Sequence, residues 1–511
     1  MVDDLELEER DIFDFFDNFQ EIKIKDKKIG DILVFEDLPI WWVIGIAFKG
    51  DHLPNGFSKF RDVLKRKTNK FGFKDRLKYG MAPLSEFAKY IMSFSSKKAI
   101  PTKDTLAFLA YTRSLRFHTP SIELNENEVC VDRFAEIMNS FKKSNHPLDF
   151  FVLDILSAKP NINLRKYPNL IVRNSSIKLF LDSYKEAREL NKKWKDIKRN
   201  ISFNSKKDLY IFNSFKKDLD VFLSTSFLFI ITYYYRLAKE FTSNENIKAI
   251  LVYAISGMID RVFIAAANKN KKKCYSIPHS IGFLNLNPML LDTKIFVECE
   301  DFKKAMINLK VPEKNIVVVG SPYLNHLKKY RDVDVEKDNS ILIITTPFVE
   351  DGILDKETYF KLIEDVLLNL SKIGSKIKIK LHPREHDKGG YLEIISKNKL
   401  NVETIEGDSK DSLYTLMRKS NFCLGFGSGA LFEAVLLEVP VANIKVPELK
   451  KKFYSPTMED DKIIKQIEPY KDYSSEIRKL LSYKQYKNLL YRKYPMCLDF
   501  RAHERIKDYV L

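Results

Sequence analysis

Small, polar and ionisable residues follow five predicted strands in the second half of the chain. The chemistry-bearing residues nearest the ends of these strands are His279, Ser321, Thr346, His382 and Ser428. Short apolar runs are typical of buried parallel strands, and α/β proteins bind ligands at the carboxyl ends of such strands. The spacing therefore predicts that these residues lie at ligand-binding edges of parallel sheets.

The loop at 425–429 holds three glycines and a serine between an apolar run and an apolar-periodic helix. Glycines let the backbone approach a ligand closely, and the N–H groups at a helix start attract anions. One interpretation is a phosphate site made by Gly427, Ser428 and Gly429. The alternative is a glycine-rich turn that only packs a helix on a strand.

Two of the eight histidines, His279 and His382, closely follow predicted strands. A histidine at a cleft can donate to a phosphate or act as a general acid, because its pKa lies near neutral pH. It can also serve as a structural hydrogen-bonding group. Pro383 and Arg384 come next in the chain, and Arg384 could grip a phosphate with two hydrogen bonds or form an ion pair with Glu385.

Acidic residues supply candidates for a general base and for sugar contacts. Glu350 and Asp351 precede Gly352 and could take a proton, although Asp-Gly is also common turn chemistry. Glu433 lies near the start of the helix that follows the glycine loop. It could accept hydrogen bonds from ribose hydroxyls or stabilise the helix N-terminus electrostatically.

Two blocks of alternating strands and helices must position these residues. The predicted strands are 106–111, 150–156, 249–253, 274–277, 294–297 and 316–319 in the first block, and 341–345, 377–381, 422–424 and 441–444 in the second. The predicted helices include 132–141, 177–199, 212–241, 258–268, 301–309, 356–373, 412–419 and 430–437. Such alternation favours doubly wound parallel sheets. The predicted fold class is therefore α/β, with two Rossmann-like domains facing a cleft.

The domain bounds are predicted from the same rhythm. Residues 1–100 form a basic and aromatic N-terminal extension, in which the apolar residues 39–42 dock on the main body. Residues 101–330 form the first domain and 331–475 the second. Residues 476–511 are helices that pack back on the body.

Composition narrows the compartment and the partners of the 511-residue chain. Its five cysteines are scattered, which fits a reducing compartment and argues against a disulfide framework or a zinc site, so no metal is predicted. The acidic start lacks the features of a signal peptide, so we expect a cytoplasmic protein. The net charge of +17 fits an anionic membrane surface or phosphorylated substrates, or a solvated surface without a specific partner. Nucleic acid is disfavoured, because no recognition motif is present.

The apolar stretch 221–235 is shorter than the roughly 20 residues needed to span a bilayer. It predicts a buried helix. The basic amphipathic run 59–78 could lie on anionic lipid or form a solvated face.

The motifs in order resemble those of GT-B glycosyltransferases of surface and capsular polysaccharide synthesis. The matching segments are Pro278-His279-Ser280-Ile281-Gly282, Gly320-Ser321-Pro322, Leu381-His382-Pro383, and 427–434 with Pro440-Val441. The likeness spans roughly residues 245–447 and is greatest to the sialyltransferase-like group and the polyglycerol-phosphate transferases. It implies that His382 and the loop around Ser428 hold the leaving phosphate of a nucleotide. It also implies that Glu350 or Asp351 is the base.

The sequence and this resemblance together predict a metal-independent transferase that moves a sugar from a nucleotide-activated donor to a glycan or lipid-linked acceptor. The first domain would present the acceptor, with His279 or an acidic residue as base, and the second would hold the donor. No cofactor is predicted besides the nucleotide-sugar substrate. The alternatives are a transferase using a cytidine diphosphate alditol, a non-hydrolysing sugar-nucleotide 2-epimerase, and a non-catalytic scaffold of an envelope-assembly complex.

Overall fold

Two parallel sheets flanked by helices organise the part of the chain that the computed structural model describes. The described residues are 9–45, 48, 104–110, 115–116, 130–131, 135–145, 148–152, 170–172, 176–252, 257–277, 292–308, 311–322, 324–351, 353–385, 387–406, 410–446, 462–481 and 486–511. The predicted α/β class with two parallel sheets is confirmed.

The N-terminal segment is built of short elements and a buried aromatic cluster. Its elements are α1 (Glu9–Asn18), β1 (Lys23–Ile24), β2 (Lys27–Lys28), α2 (Ile29–Ile32), β3 (Val34–Phe35), β4 (Leu38–Pro39) and α3 (Ile40–Ile44). The Trp41 and Phe19 rings lie 4.5 Å apart between centroids. The Trp42 carbonyl accepts a 2.5 Å hydrogen bond from the buried Arg261. The predicted docking of this apolar segment on the body is confirmed.

The first sheet has seven strands. They are β5 (Thr105–Ala110), β8 (Leu148–Val152), β9 (Leu170–Val172), β10 (Ile247–Val252), β11 (Lys273–Ser276), β12 (Thr293–Val297) and β13 (Ile316–Val318), and a separate antiparallel pair is formed by β6 (Leu115–Arg116) and β7 (Cys130–Val131). The strand order is β13-β12-β11-β10-β5-β8-β9. Pairing is parallel from β9 through to β12.

Six helices accompany this sheet in the described part of the chain. They are α4 (Ala135–Lys143), α5 (Ile177–Asn200), α6 (Lys206–Phe222), α7 (Thr225–Thr242), α8 (Met258–Lys269) and α9 (Glu300–Asn308). The single helix expected over 212–241 is wrong, because the chain breaks after Phe222 and restarts at Thr225. Ser224 caps the new helix by accepting a hydrogen bond from the Phe227 N–H, which favours a helix start at this point.

The second sheet has six parallel strands. They are β14 (Ser340–Ile344), β15 (Lys376–Lys380), β16 (Val402–Ile405), β17 (Phe422–Gly425), β18 (Val441–Ile444) and β19 (Ile464–Ile467), and the helices beside them are α10 (Lys328–Arg331), α11 (Lys356–Ser371), α12 (Gly389–Lys397), α13 (Lys410–Lys419) and α14 (Ala430–Leu436). The order β16-β15-β14-β17-β18-β19 grows outward from β14 on one side and from β17 on the other. The order therefore reverses between these two central strands.

Four helices complete the chain. They are α15 (Ser474–Leu481), α16 (Tyr486–Lys493), α17 (Pro495–Leu498) and α18 (Ala502–Val510), and short 3-10 turns lie at Phe19–Glu21, Glu313–Asn315 and Asn325–Leu327. Contacts divide the chain into two units, Met1–Pro278 with Asn285–Phe296, and His279–Leu284 with Val297–Leu511. The domain bounds and the shared cleft expected from the sequence stay predictions.

Within the described residues, no single helix has both the length and the apolar character to cross a membrane. By length and composition alone, the bent pair α6 and α7, with 56° between the helices, meets that requirement together.

Candidate functional site

Two threonines at the end of β14 connect the loops that follow β15 and β17. The Thr345 hydroxyl accepts a 2.9 Å hydrogen bond from the His382 N–H. The Thr346 hydroxyl donates to the Phe426 carbonyl at 3.4 Å. Ligands of α/β sheets bind where the strand order reverses, which in this sheet is between β14 and β17. The structure thus brings the histidine loop and the glycine loop to one edge of the second sheet.

Glu385 anchors the histidine loop from beneath. Its carboxylate is buried and accepts hydrogen bonds from the His382 N–H at 2.7 Å and from Thr345. The hydroxyls of Tyr359 and Tyr391 donate to its other oxygen at 2.9 and 2.6 Å. Charge-assisted bonds of this number hold a loop firmly. Glu385 is therefore an internal anchor, and the ion pair with Arg384 considered from the sequence is not formed.

The ring of His382 is half-buried and has a defined tautomer. The Arg384 N–H donates to Nδ1 of His382 at 3.2 Å, so Nδ1 is the acceptor and the ring proton lies on Nε2. Burial, and then the positive charge of Arg384, hold the pKa of His382 below its ordinary value of 6.5. At neutral pH the ring is therefore uncharged and presents an Nε2–H donor.

Arg384 and Asp351 form an ion pair at this edge. The guanidinium donates to both carboxylate oxygens of Asp351, at 2.5 and 3.0 Å. The Asp351 side chain is 26% exposed and that of Arg384 is 60% exposed. The pair joins the group predicted to bind phosphate to the group predicted to act as base. Glu350 is exposed.

The glycine loop is held by a buried asparagine of β18. The Gly427 N–H donates to Oδ1 of Asn443 at 2.6 Å, and Asn443 in turn donates to Gln466 at 3.0 Å. Gly427 has φ of +74°, a conformation that favours glycine. Ser428 Oγ accepts from the Ala430 N–H at 3.3 Å. The loop conformation is therefore fixed by contacts outside the loop.

The remaining predicted site residues have different settings. Pro383 is exposed and Gly429 precedes α14, while Glu433 lies half-buried in that helix. Ser321 is buried at 3% exposure, and within the described residues its hydroxyl has no hydrogen-bond partner. His279 and Gly352 lie outside the described residues.

Sequence reasoning missed Asn443, the two tyrosines and the anchoring role of Glu385. Asn443 did leave a signal, since a buried amide within an otherwise apolar strand needs partners. The tyrosines are indistinguishable from core residues in the helical pattern.

The described residues offer no metal site, and one cavity among them is lined by no residue of this edge. They contain no group of three or more His, Cys, Asp and Glu placed to hold a metal ion. A pocket of about 290 Å³ lies in the first unit, beside Ser176, Lys178, Arg236 and Lys239. Arg236 and Lys239, two of the three cations beside that pocket, both donate to Glu36.

Comparison with known proteins gives a fold likeness at low identity. No family model matches the chain, and no curated protein matches it. Similar solved structures include a putative UDP-N-acetylglucosamine 2-epimerase from Listeria monocytogenes, with 13% identity over 79% of this chain and 95% of that chain, and a TM-score of 0.47. The UDP-GlcNAc 2-epimerase from Neisseria meningitidis bound to UDP-GlcNAc has 14% identity over 79% and 98%, with a TM-score of 0.45. A glycosyltransferase from Rickettsia africae has 12% identity over 80% and 98%, with a TM-score of 0.43. With TM-scores below 0.5, the functional argument rests on the residues of this chain.

Proposed function

We propose that the protein is a GT-B type glycosyltransferase that moves a sugar from a nucleotide-activated donor to a glycan or lipid-linked acceptor in surface polysaccharide or glycoconjugate synthesis. The observation that supports this most directly is the pair Thr345 and Thr346, which ties the histidine loop and the glycine loop to one edge of the sheet. Both loops present donors suited to a phosphate, and the strand order reverses between them.

In this proposal the two loops stabilise the leaving phosphate of the donor. The uncharged His382 donates from Nε2–H, and the Ser428 and Gly429 amides donate alongside it, because the amides of Gly427 and Ala430 already donate within the protein. Donors that are already oriented stabilise charge as it develops in the transition state, at little reorganisation cost. The proposal uses these donors and no metal ion.

The acceptor side of the proposal involves a proton transfer. The acceptor hydroxyl attacks the anomeric carbon while the bond to the donor phosphate breaks, and the hydroxyl proton passes to a base. The candidates are His279, Glu350 and Asp351. Asp351 can serve once Arg384 releases it, and the incoming phosphate of the donor is a suitable competitor for Arg384.

The direct test replaces His382 and measures donor turnover. We expect His382→Ala to lower turnover by a factor of about 100 or more, as is common for loss of one donor to a developing charge. The control is His326→Ala, which removes a ring packed on Tyr414 in the same unit. Wild-type turnover in His382→Ala would contradict a role of His382 in stabilising the leaving phosphate.

The donor panel separates this proposal from its alternatives. Melting with CMP, CDP, UDP and GDP identifies the nucleotide, because a ligand of the folded state raises the melting temperature. An epimerised donor formed without acceptor would indicate the 2-epimerase, and turnover of a cytidine diphosphate alditol would indicate the phosphotransferase. No stabilisation by any nucleotide would favour the scaffold.

We also propose a cytoplasmic location at the inner face of a membrane. The net charge of +17 suits an anionic surface, and a lipid-linked acceptor would lie there.

A further inference from the structure

The helix α5 carries an unusual distribution of residues on its solvent side. Its buried face consists of Ser183, Ala187, Leu190, Trp194 and Ile197. At about 100° per residue, positions 177, 181, 184, 188, 192, 195 and 199 form a line along the whole helix, on one flank of the side opposite this face. All seven residues of that line are exposed. We call this line the outer stripe.

The N-terminal half of the outer stripe is apolar. Ile177, Leu181 and Tyr184 follow one another at helical spacing and are 53%, 59% and 40% exposed. Single exposed apolar side chains are common, but three in a line form a patch that water solvates poorly. These side chains would be stabilised by contact with an apolar phase.

The C-terminal half of the outer stripe is basic. Its residues are Arg188, Lys192, Lys195 and Arg199. No acidic residue occupies the stripe. The two ends are separated by about 33 Å, at about 1.5 Å per residue.

The adjacent exposed positions of the same helix form a second line, the mixed stripe, whose charges have the mixture of signs usual for a solvated helix face. They alternate in sign as Lys178, Asp182, Lys185, Glu189, Lys193 and Asp196. Three lysines balance three acids there, whereas the outer stripe has four cations and no acid. The segregation is therefore a property of one line of the helix and not of its overall composition.

We propose that the outer stripe of α5 is the surface by which this protein lies on an anionic lipid bilayer. The apolar half enters the headgroup boundary and the basic half contacts anionic headgroups. A polyanion in water would use the four cations but would leave Ile177 and Leu181 exposed, which favours lipid. The inference rests on the proposed membrane contact. Vesicle binding is measured apart from donor turnover, so the membrane surface and the proposed activity can each fail without the other.

The test is sedimentation of the full chain with vesicles of phosphatidylcholine, or of phosphatidylcholine and phosphatidylglycerol in equal parts. We expect binding only to the anionic vesicles. Lys192→Gln with Lys195→Gln should weaken it about thirtyfold, from about fivefold per lysine near an anionic surface. Ile177→Ser with Leu181→Ser should also weaken it. The control pair Lys185→Gln with Lys193→Gln removes the same charge from the mixed stripe and should bind as the wild type does.

Each other result would overturn the inference. Absence of binding to anionic vesicles would do so, as would an equal loss in the control pair, which would indicate net charge alone. If the serine variants bind as the wild type does while the glutamine pair in the outer stripe does not, the partner is a soluble polyanion. All variants lie on exposed positions, and their melting temperatures should match that of the wild type.

Discussion

At the scale of single residues, the chemistry of the candidate site depends on what surrounds His382 more than on the histidine itself. Glu385 fixes its backbone by accepting from the His382 N–H, and the Arg384 amide fixes its tautomer by donating to Nδ1. Neither relation is visible in the string His-Pro-Arg-Glu. The motif predicts where a histidine stands, and the fold decides which nitrogen bears the proton.

The charge state of His382 can be measured directly. Arg384 is the second cause, after burial, that holds the pKa of His382 below 6.5, while Glu385, Asp351 and Glu350 act in the opposite direction. The positive charge of Arg384 repels the protonated imidazole ring. Arg384→Met removes that repulsion, so we expect it to raise the pKa of His382. The measurement is an NMR titration of the imidazole, assigned by its absence in His382→Ala.

The control for this titration is Lys388→Met, which removes a cation from the exposed Lys388–Glu406 pair. It should leave the titration of His382 where it is in the wild type. An unchanged midpoint in Arg384→Met would contradict the electrostatic account.

At the scale of elements, the glycine loop joins β17 to α14 through a backbone conformation that favours glycine. Gly427 and Gly374 both have positive φ, +74° and +83°, but only Gly427 lies in the loop that follows β17. The space around Gly374 is open. Gly374 is therefore a control for Gly427, because both glycines need positive φ and only Gly427 lies in the glycine loop.

We expect Gly427→Ala and Gly374→Ala each to lower the free energy of unfolding by about 1 kcal/mol, because non-glycine residues pay a cost at positive φ. Only Gly427→Ala should also abolish the rise in melting temperature caused by the nucleotide, since the proposed function places the phosphate beside this loop. Melting curves with and without the nucleotide check both parts. Equal nucleotide response in the two variants would contradict the assignment of the loop.

Prediction from sequence succeeded best for buried strands of the second sheet, most of which are continuous apolar segments. The strands β14, β17 and β18 are apolar and buried on both faces, and each was predicted within a residue of its bounds. β15 alternates lysine with isoleucine and was also predicted within a residue, whereas β16, whose residues are mostly half-exposed, was missed. The Arg384–Asp351 pair joins residues 33 positions apart. It could not be predicted, because it depends on the parallel pairing of β14 with β15.

At the scale of the whole molecule, the last helices secure the second unit. The Cys497 thiol donates to the Glu298 carbonyl at 3.1 Å, and Arg505 donates to the Val319 carbonyl at 2.9 Å. Gly320 has φ of +90°, and a Cβ there would stand 2.2 Å from the Met496 carbonyl oxygen. The chain end is therefore fitted closely to the residues that follow β12 and β13.

Beside this contact lies a buried carboxyl group that forms no ion pair with the described residues. Glu298 is 2% exposed, and among the described residues its Oε1 has no hydrogen-bond partner. Burial raises the pKa of Glu298 from 4.5 to about 8. The folded chain therefore keeps this proton at neutral pH, whereas the unfolded chain releases it.

The consequence is a pH dependence of stability with a definite sign. Between pH 4.5 and about 8 the unfolded state binds fewer protons at this group, so the group lowers the free energy of unfolding as pH rises. The loss is about 1.4 kcal/mol per pH unit. Glu298→Gln has no proton to lose, so its stability relative to the wild type should rise over this range. The exposed Glu300→Gln should follow the wild type. Urea unfolding at several pH values measures this, and parallel curves for Glu298→Gln and wild type would mean that Glu298 is ionised in the folded chain.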